Sequence, residues 1–335
     1  MTKRSPLAVA AAVIALGMTV SLAACEGQIP TVSAPTESAS ANPDLTEDQE
    51  QEMREALLKT IEDCNEQKNP ANLGQAMSGP ELEIRTSELQ VAQKTGKLDP
   101  KTTIPTDITQ TVIPTDNGWP RSVFSITTTT EDQQSKRLLV FTQGDARENY
   151  KLWGVARLFQ GVEMPKFTVP SIGSQMGHPT DENLVMTPEQ AVQRYADVLQ
   201  NGTKSQYAGD FADDYFRQDL QNLSQTVQQG MERNKGSQEQ TFTPVDGQMQ
   251  IMRSSEGGDL VVAQINSVWT RTAGEGRESL PASDSERALF GDGKATSTMK
   301  VTYVNVIAMY IPPAKSGAQI TTVGAERQPV KVEAV

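Results

Sequence analysis

The sequence predicts an α+β protein in which helices precede antiparallel strands, and this order occurs twice along the chain. Each half opens with a helix-capping pattern, Thr46-Glu47-Asp48-Gln49 in the first and Thr187-Pro188-Glu189-Gln190 in the second. Runs rich in β-branched and aromatic residues follow each helical region. Because strands do not alternate with helices, the pattern disfavours a doubly wound parallel sheet and the usual two-lobed solute-binding protein.

The first predicted domain covers residues 45–170. Its first helix begins after Thr46, and Leu82 and Leu89 mark a second helix. Four strands are predicted to follow, at residues 108–113, 123–130, 137–143 and 149–159. Together these elements describe helices packed on a curved antiparallel sheet.

The second predicted domain covers residues 186–335, after a linker at 171–185 where proline and glycine cluster. Phe216 and Leu223 repeat the spacing of the leucine pair in the first half. Ser283 and Glu286 predict a short helix that ends at Gly291. Strands are predicted at 248–253, 260–270 and 296–311, with a closing hairpin at 318–334.

Two stretches resemble known families: "TPEQAVQRYADVLQNG…YAGDFADDYFRQDL" is similar to the opening helices of NTF2-like and cystatin-like folds. The ending "TYVNVIAMYIPPAKSGAQITTVGAE" resembles a family of uncharacterised actinobacterial lipoproteins with tandem units of this kind. The resemblance covers the chain from about residue 45 to the end. It implies the fold and the location of the protein, and it implies no substrate.

The amino terminus has the order of a secretory signal peptide, predicted at residues 1–24. Lys3 and Arg4 precede an uncharged apolar run. A membrane-spanning helix is the competing interpretation, but no basic cluster follows the run. Leu22-Ala23-Ala24-Cys25 resembles the lipobox of bacterial lipoproteins, which implies cleavage after Ala24 and a diacylglycerol on Cys25. The remaining alternative is a secreted protein with an incidental cysteine.

The predicted anchor is followed by a tether, which with Cys25 covers residues 25–44 and is rich in Pro, Ser, Thr and Ala. The chain carries a formal net charge of −12. Such a charge repels nucleic acid, so we exclude nucleic-acid binding as a main function. Cys64 lies in line with Leu57 and Ile61, which predicts a buried structural thiol. Pairing of Cys64 with a partner protein is the alternative.

Three aspartates form the strongest acidic candidate site: Asp210, Asp213 and Asp214, with Tyr215 adjacent. On a helix these carboxylates would share one face, where they could hold a cation or exchange protons. NTF2-like enzymes place such acids and a tyrosine at the open end of their cone. The competing interpretation is helix capping, for which aspartate is well suited.

Other motifs give no catalytic or metal site. His178 is the only histidine and lies beside Gly177 and Pro179 in the predicted linker, which indicates an exposed loop residue. Ser297-Thr298-Met299-Lys300 and Lys94-Thr95-Gly96 match motifs of penicillin-recognising enzymes in the wrong order and on the wrong elements. The tryptophans, Trp119, Trp153 and Trp269, are expected to fill the two cones.

The sequence therefore predicts a lipid-anchored protein on the extracytoplasmic face of the cell membrane. We expect a non-catalytic binding or scaffolding module, with no cofactor and with an envelope protein as partner. The alternatives are an enzyme that uses an apolar cone with a carboxylate such as Asp213 or Asp214, and a carrier of a small ligand in the same cone.

Overall fold

Helices precede strands in each half of the chain, as the sequence predicts. The computed structural model describes residues 42–116, 118–129 and 135–335. The helices in this part of the chain are α1 Glu47–Gln67, α2 Leu73–Ala76, α3 Gly79–Thr95, α4 Pro188–Asn201, α5 Tyr215–Arg233 and α6 Asp284–Phe290. The strands are β1 Ile108–Val112, β2 Arg121–Thr127, β3 Arg137–Gln143, β4 Lys151–Leu158, β5 Ser237–Arg253, β6 Asp259–Thr272, β7 Thr298–Ile311 and β8 Thr321–Ala334.

Side-chain caps fix the starts of three helices. The Thr46 hydroxyl accepts from the Gln49 main-chain N–H, and the Gln49 side chain accepts from the Thr46 N–H, so the predicted capping box of α1 is confirmed. Thr187 caps α4, with proline at its first position, and Ser283 caps α6. These starts were predicted correctly because each depends on three or four consecutive residues.

The eight strands form one antiparallel sheet in the order β1-β2-β3-β4-β8-β7-β6-β5. Each half contributes four sequential strands, and the sheet is continuous because β4 pairs with β8. That junction is short, with Arg157 opposite Ala325 and Leu158 opposite Gly324. The predicted α+β class and the curved antiparallel sheet are thus confirmed.

The sheet curls so that one face of the first half packs against one face of the second. Phe124 and Val140 from the first half share a buried cluster with Val262 and Val306 from the second. The outer faces are covered by helices: α1 and α2 pack on β2, β3 and β4, and α4 packs on β5, β6 and β7. The described residues between 42 and 335 form one compact unit.

The predicted closing hairpin is wrong, because residues 321–334 form one long strand that pairs with β7. Gly324 lies in this strand at the contact with β4. A Cβ at this position would come within 2.7 Å of the Arg157 carbonyl oxygen. The glycine is therefore required by the close approach of two strands, and no turn is made there.

Strand β5 begins at Ser237, well before the predicted start at Gln248. The missed segment is polar and partly exposed, so it lacks the apolar pattern of a buried strand. Trp119 is 38% exposed and lies beside Arg121, which corrects the expectation that it fills a cone. Trp153 and Trp269 are buried, as predicted.

Cys64 of α1 is a buried free thiol in the same apolar cluster as Leu58 and Ile61, which confirms the prediction of a buried thiol. The predicted signal peptide, the cleavage site after Ala24, the lipidated Cys25 and nearly all of the tether lie outside the described residues. Among the helices that are described, none has the length and hydropathy needed to cross a membrane.

Candidate binding groove

The structure separates the three predicted aspartates. Asp210 ends a single 3-10 turn, and its carboxylate accepts a hydrogen bond from Arg194 Nη1 at 2.9 Å. The Asp213 side chain is 95% exposed. Asp214 is the N-cap of α5 and accepts from the Arg217 main-chain N–H at 2.8 Å. The three carboxylates therefore do not share a helical face, because Asp214 is the N-cap of α5 and the other two aspartates precede the helix.

Asp214 is buried and fully paired. The Tyr195 hydroxyl of α4 donates to its Oδ2 at 3.1 Å, and Arg217 Nε donates to the same oxygen at 2.8 Å. Burial raises the pKa of Asp214, while the hydrogen bonds and charge of Arg217 oppose this rise. Burial likewise raises the pKa of Tyr195 well above its ordinary value. The group joins α4 to α5, and it fits the capping interpretation.

Tyr215, the fourth predicted member, is 54% exposed. Its ring contacts Phe159 edge-on, with 5.8 Å between ring centroids. The tyrosine therefore does not join Asp214 in a closed pocket. Its contact with the residue after β4 instead ties the start of α5 to the first half.

A groove of about 620 Å³ lies between the end of α4, the length of α5 and the beginning of β5, and we call it the α5–β5 groove. Helix α5 buries Phe216 and Leu220, both in its first half, while Val227 in its second half is only partly buried against the sheet. Eight glutamines line the groove: Gln200, Gln218, Gln221, Gln225, Gln228, Gln229, Gln238 and Gln240. The charged side chains of Asp213, Arg217 and Lys204 lie at one end of it.

Amide side chains dominate this lining. An amide can donate and accept hydrogen bonds, but it does not titrate near neutral pH and is no nucleophile. The lining contains no aromatic, histidine or cysteine side chain. The groove is thus lined mainly by side chains suited to polar recognition.

Gln238 forms part of the groove floor and links three elements. Its Nε2 donates to the Ser224 carbonyl oxygen of α5 at 2.7 Å, and its Oε1 accepts from Trp269 Nε1 of β6 at 2.8 Å. One side chain therefore holds the helix, the edge strand and the neighbouring strand together. The floor of the groove is thus tied to both α5 and β6.

Beside the groove, the helix-facing side of β6, β7 and β8 is filled by the protein's own side chains. Arg271 forms a buried ion pair with Glu286 of α6, whose carboxylate also accepts from the Tyr303 hydroxyl at 3.1 Å. The Arg327 guanidinium lies 3.4 Å from the centroid of the Tyr303 ring. Burial lowers the pKa of Arg327. This region offers little open apolar space for a small substrate.

A second buried charged cluster lies where α3 meets β8. Arg85 Nε is 3.2 Å from Glu88 Oε2, and Arg85 Nη2 is 3.7 Å from Glu81 Oε1. Glu326 of β8 pairs with Arg157 at 2.7 Å. Burial raises the pKa of Glu81 to about 8, and it also raises the pKa of Glu88. These residues line neither of the two main pockets among the described residues, so we infer that they stabilise the contact between the two halves.

The remaining sequence candidates lie apart from the groove. His178 is exposed in the loop before α4, and its Nδ1 is 2.8 Å from the Thr180 hydroxyl. Lys94-Thr95-Gly96 ends helix α3, while Ser297 precedes strand β7. Within residues 42–116, 118–129 and 135–335, no group of three or more His, Cys, Asp or Glu residues could hold a metal ion.

Sequence reasoning missed the groove itself. The available signals were the density of glutamine in residues 218–229 and the polar, alternating character of residues 237–243. Neither pattern by itself distinguishes a groove from an ordinary solvated surface. Only the fold shows that they face each other across a cavity.

A family model described as "Domain of unknown function (DUF8094)" matches residues 41–331, which is most of the chain. No curated protein and no solved structure matches the sequence.

Proposed function

The chain belongs to this family of domains of unknown function, and we propose that it is a lipid-anchored module of the cell envelope. In this proposal it binds another envelope component and catalyses no reaction. The protein stays on the extracytoplasmic face of the cell membrane through a diacylglycerol on Cys25. The α5–β5 groove is its binding site.

The lining of the groove is the observation that carries the binding role. Its commonest side chains are amides, which offer both donors and acceptors, and one of them, Gln238, is held by its bond to α5. The one carboxylate of the lining that is buried, Asp214, is already paired with Tyr195 and Arg217. An enzyme that used the predicted carboxylate would need it free to exchange a proton with substrate.

The location follows from the amino-terminal sequence. A basic start, an uncharged apolar run and Leu22-Ala23-Ala24-Cys25 occur in the order that lipoprotein processing requires. Two long acyl chains bury on the order of thirty methylenes at about 0.8 kcal/mol each, so release from the membrane would be very slow. The tether would keep the folded part near the membrane surface.

We also propose that the two halves are tandem NTF2-like or cystatin-like units that have joined their sheets. The support is the repeated order of capped helices followed by four sequential strands. Each half also has one sheet face covered by its own helices. In this view the β4–β8 pairing is the seam between the units.

Crosslinking in living cells tests the binding role. The full chain is compared with Cys25→Ala, which is expected to lose fatty-acid labelling and to leave the membrane fraction. An envelope component that is recovered reproducibly with the anchored protein, and in lower yield with Cys25→Ala, supports the proposal. Recovery of the protein alone would refute the binding role. A Cys25→Ala protein that still carries the fatty-acid label and stays in the membrane fraction would refute the lipid anchor on Cys25.

A charge introduced on the groove wall provides the second test. Gln225→Lys adds an ammonium group within the amide lining, whereas Gln51→Lys adds the same charge at an exposed position on α1. We expect the first variant to reduce recovery of the partner and the second to leave it unchanged. Equal recovery in both variants would move the binding surface elsewhere.

A further inference from the structure

We propose that the α5–β5 groove binds an extended segment of another polypeptide, of neutral or positive charge, which pairs with the free edge of β5 as an added strand. This inference rests on the proposed binding role and specifies the class of partner. It is carried by the main-chain geometry of β5, by the composition of the groove and by its charge.

Strand β5 is the last strand of the sheet, so one of its edges has no neighbouring strand. The Phe242 N–H shows which residues face that edge, because it donates to Gln200 Oε1 of α4 at 3.2 Å and so points away from β6. In an antiparallel strand, the N–H and C=O of one residue point to the same side, and the side alternates with each residue. Gln240 and Gln238 therefore present their main-chain groups to the same free edge.

The position of Pro244 supports this assignment independently. Proline has no N–H, and within sheets it is confined to edge positions that need no donor. Pro244 has the same parity as Phe242 and lies opposite Ile265 in the ladder. Its missing donor thus falls on the free edge, where no sheet hydrogen bond is lost.

Two consecutive edge positions remain open beyond Phe242. The Gln200 amide occupies the Phe242 N–H, as a carbonyl of an added strand would. Among the described residues, no hydrogen bond from another element reaches the main chain of Gln240 or Gln238. Both residues line the groove, which residues of α5 also line.

The size of the groove suits a short extended segment. Its volume of about 620 Å³ lies within the range of about 300–1,000 Å³ that is usual for ligand sites. An added strand obtains affinity from main-chain hydrogen bonds and specificity from side-chain contacts. The glutamines of α5 would supply those side-chain contacts, because an amide can bond to either a donor or an acceptor.

The charge of the lining favours a neutral or basic partner. Arg217 is already engaged by Asp213 and Asp214. Lys204 is then the remaining base of the lining, against the carboxylates of Glu232 and Glu239. An anionic ligand such as a nucleotide would meet a surplus of like charge. A saccharide would find no aromatic ring on which to stack, since the lining contains none.

The decisive variant is Gln240→Pro, which removes the outward N–H and leaves the hydrogen bonds between β5 and β6 in place. Gln240→Ala is its matched control, because it removes the side chain and keeps the N–H. The probes are short random peptides displayed on phage, and the tightest binder is then synthesised and titrated against the full chain. We expect Gln240→Pro to bind it about tenfold or more weakly than Gln240→Ala, because both variants lack the amide side chain and only the proline also lacks the main-chain N–H.

A measurement on the wild-type chain keeps the test valid if Gln240→Pro fails to fold. Hydrogen exchange of the Gln238 and Gln240 amides is followed with and without the peptide, and both amides are expected to slow by about tenfold or more. Absence of any peptide that binds would overturn the inference. So would a peptide that protects neither amide, or binding of soluble cell-wall glycan in place of peptide.

These outcomes separate the inference from the proposed function. An envelope component that the anchored protein recovers equally well with wild type and with a folded Gln240→Pro variant would refute strand addition and leave the binding role intact. Failure to recover any component in cells would refute the binding role itself.

Discussion

Glu81 gives a sharp prediction about stability, because its carboxyl is buried in α3 at the contact with β8. Its Oε1 lies 3.7 Å from Arg85 Nη2, and among the described residues its Oε2 is buried with no hydrogen-bond partner. Burial raises the pKa of this carboxyl to about 8 from an ordinary 4.5, with Glu88 and Glu326 adding to the rise and Arg85 opposing it. Glu81→Gln keeps the shape of the side chain and removes its titration.

The sign of the effect follows from proton linkage. Below about pH 4.5 the carboxyl is protonated in both states, and its contribution to stability is fully present. Between there and about pH 8 the folded state keeps a proton that the unfolded state has lost. Wild-type stability must therefore fall as pH rises through this range.

The magnitude follows from the same two values. At about 1.4 kcal/mol per pH unit, a rise from 4.5 to about 8 corresponds to roughly 5 kcal/mol in total. Integration between about pH 5.5 and about pH 8.5 assigns roughly 3 kcal/mol to this window. The wild-type chain should lose that amount relative to Glu81→Gln, since all other groups titrate alike in both proteins.

Urea unfolding of the two proteins at several pH values measures this difference. Glu83→Gln is the control on the same helix, because Glu83 is exposed, and it is expected to follow the wild type. A difference between Glu81→Gln and wild type that stays constant across the window would refute the argument. A wild-type stability that rises with pH relative to Glu81→Gln would show that folding favours the ionised carboxylate of Glu81.

Two further predictions concern packing and capping. Gly79→Ala should destabilise the fold by about 2–4 kcal/mol, because φ is +53° and a Cβ would lie 2.4 Å from the Trp153 ring. Gly74 has open space around it, so Gly74→Ala should be neutral or slightly stabilising. Thermal unfolding of both variants measures the difference. Asp214→Ala should lower the free energy of unfolding in urea by about 3 kcal/mol, because it removes a helix cap and a buried ion-pair partner. Asp213 is exposed, so Asp213→Ala should change the free energy of unfolding by no more than about 0.5 kcal/mol. Equal effects within either pair would contradict the structure.

Local signals in the sequence predicted the helices well. Thr46, Thr187 and Ser283 are caps in the structure as predicted, because a cap is decided by residues three positions apart. The same holds for the short helix that ends before Gly291. Apolar strands such as β3 and β6 were found because both of their faces are buried.

Long-range features were not predictable in this way. A closing hairpin was predicted at 318–334, but Gly324 within it lies in a strand, where its role is set by Arg157 of a strand far away in the sequence. The first half of β5 was missed because an edge strand with a solvated side carries few apolar residues. The candidate groove depends on the distance between α5 and β5, and no pattern within either element encodes that distance.

The order of the strands has a consequence for how the chain folds. The first four strands can pair as they are synthesised, but β4 finds its second neighbour only when β8, the last strand in the sequence, is complete. Until then β4 and β7 each expose an unpaired edge, and contacts of such large sequence separation form slowly. Newly made chains therefore pass through a stage at which two open edges can pair with each other or with other chains. Chaperone protection during that stage would matter most for the open edges of β4 and β7, until the fourteen residues of β8 are in place.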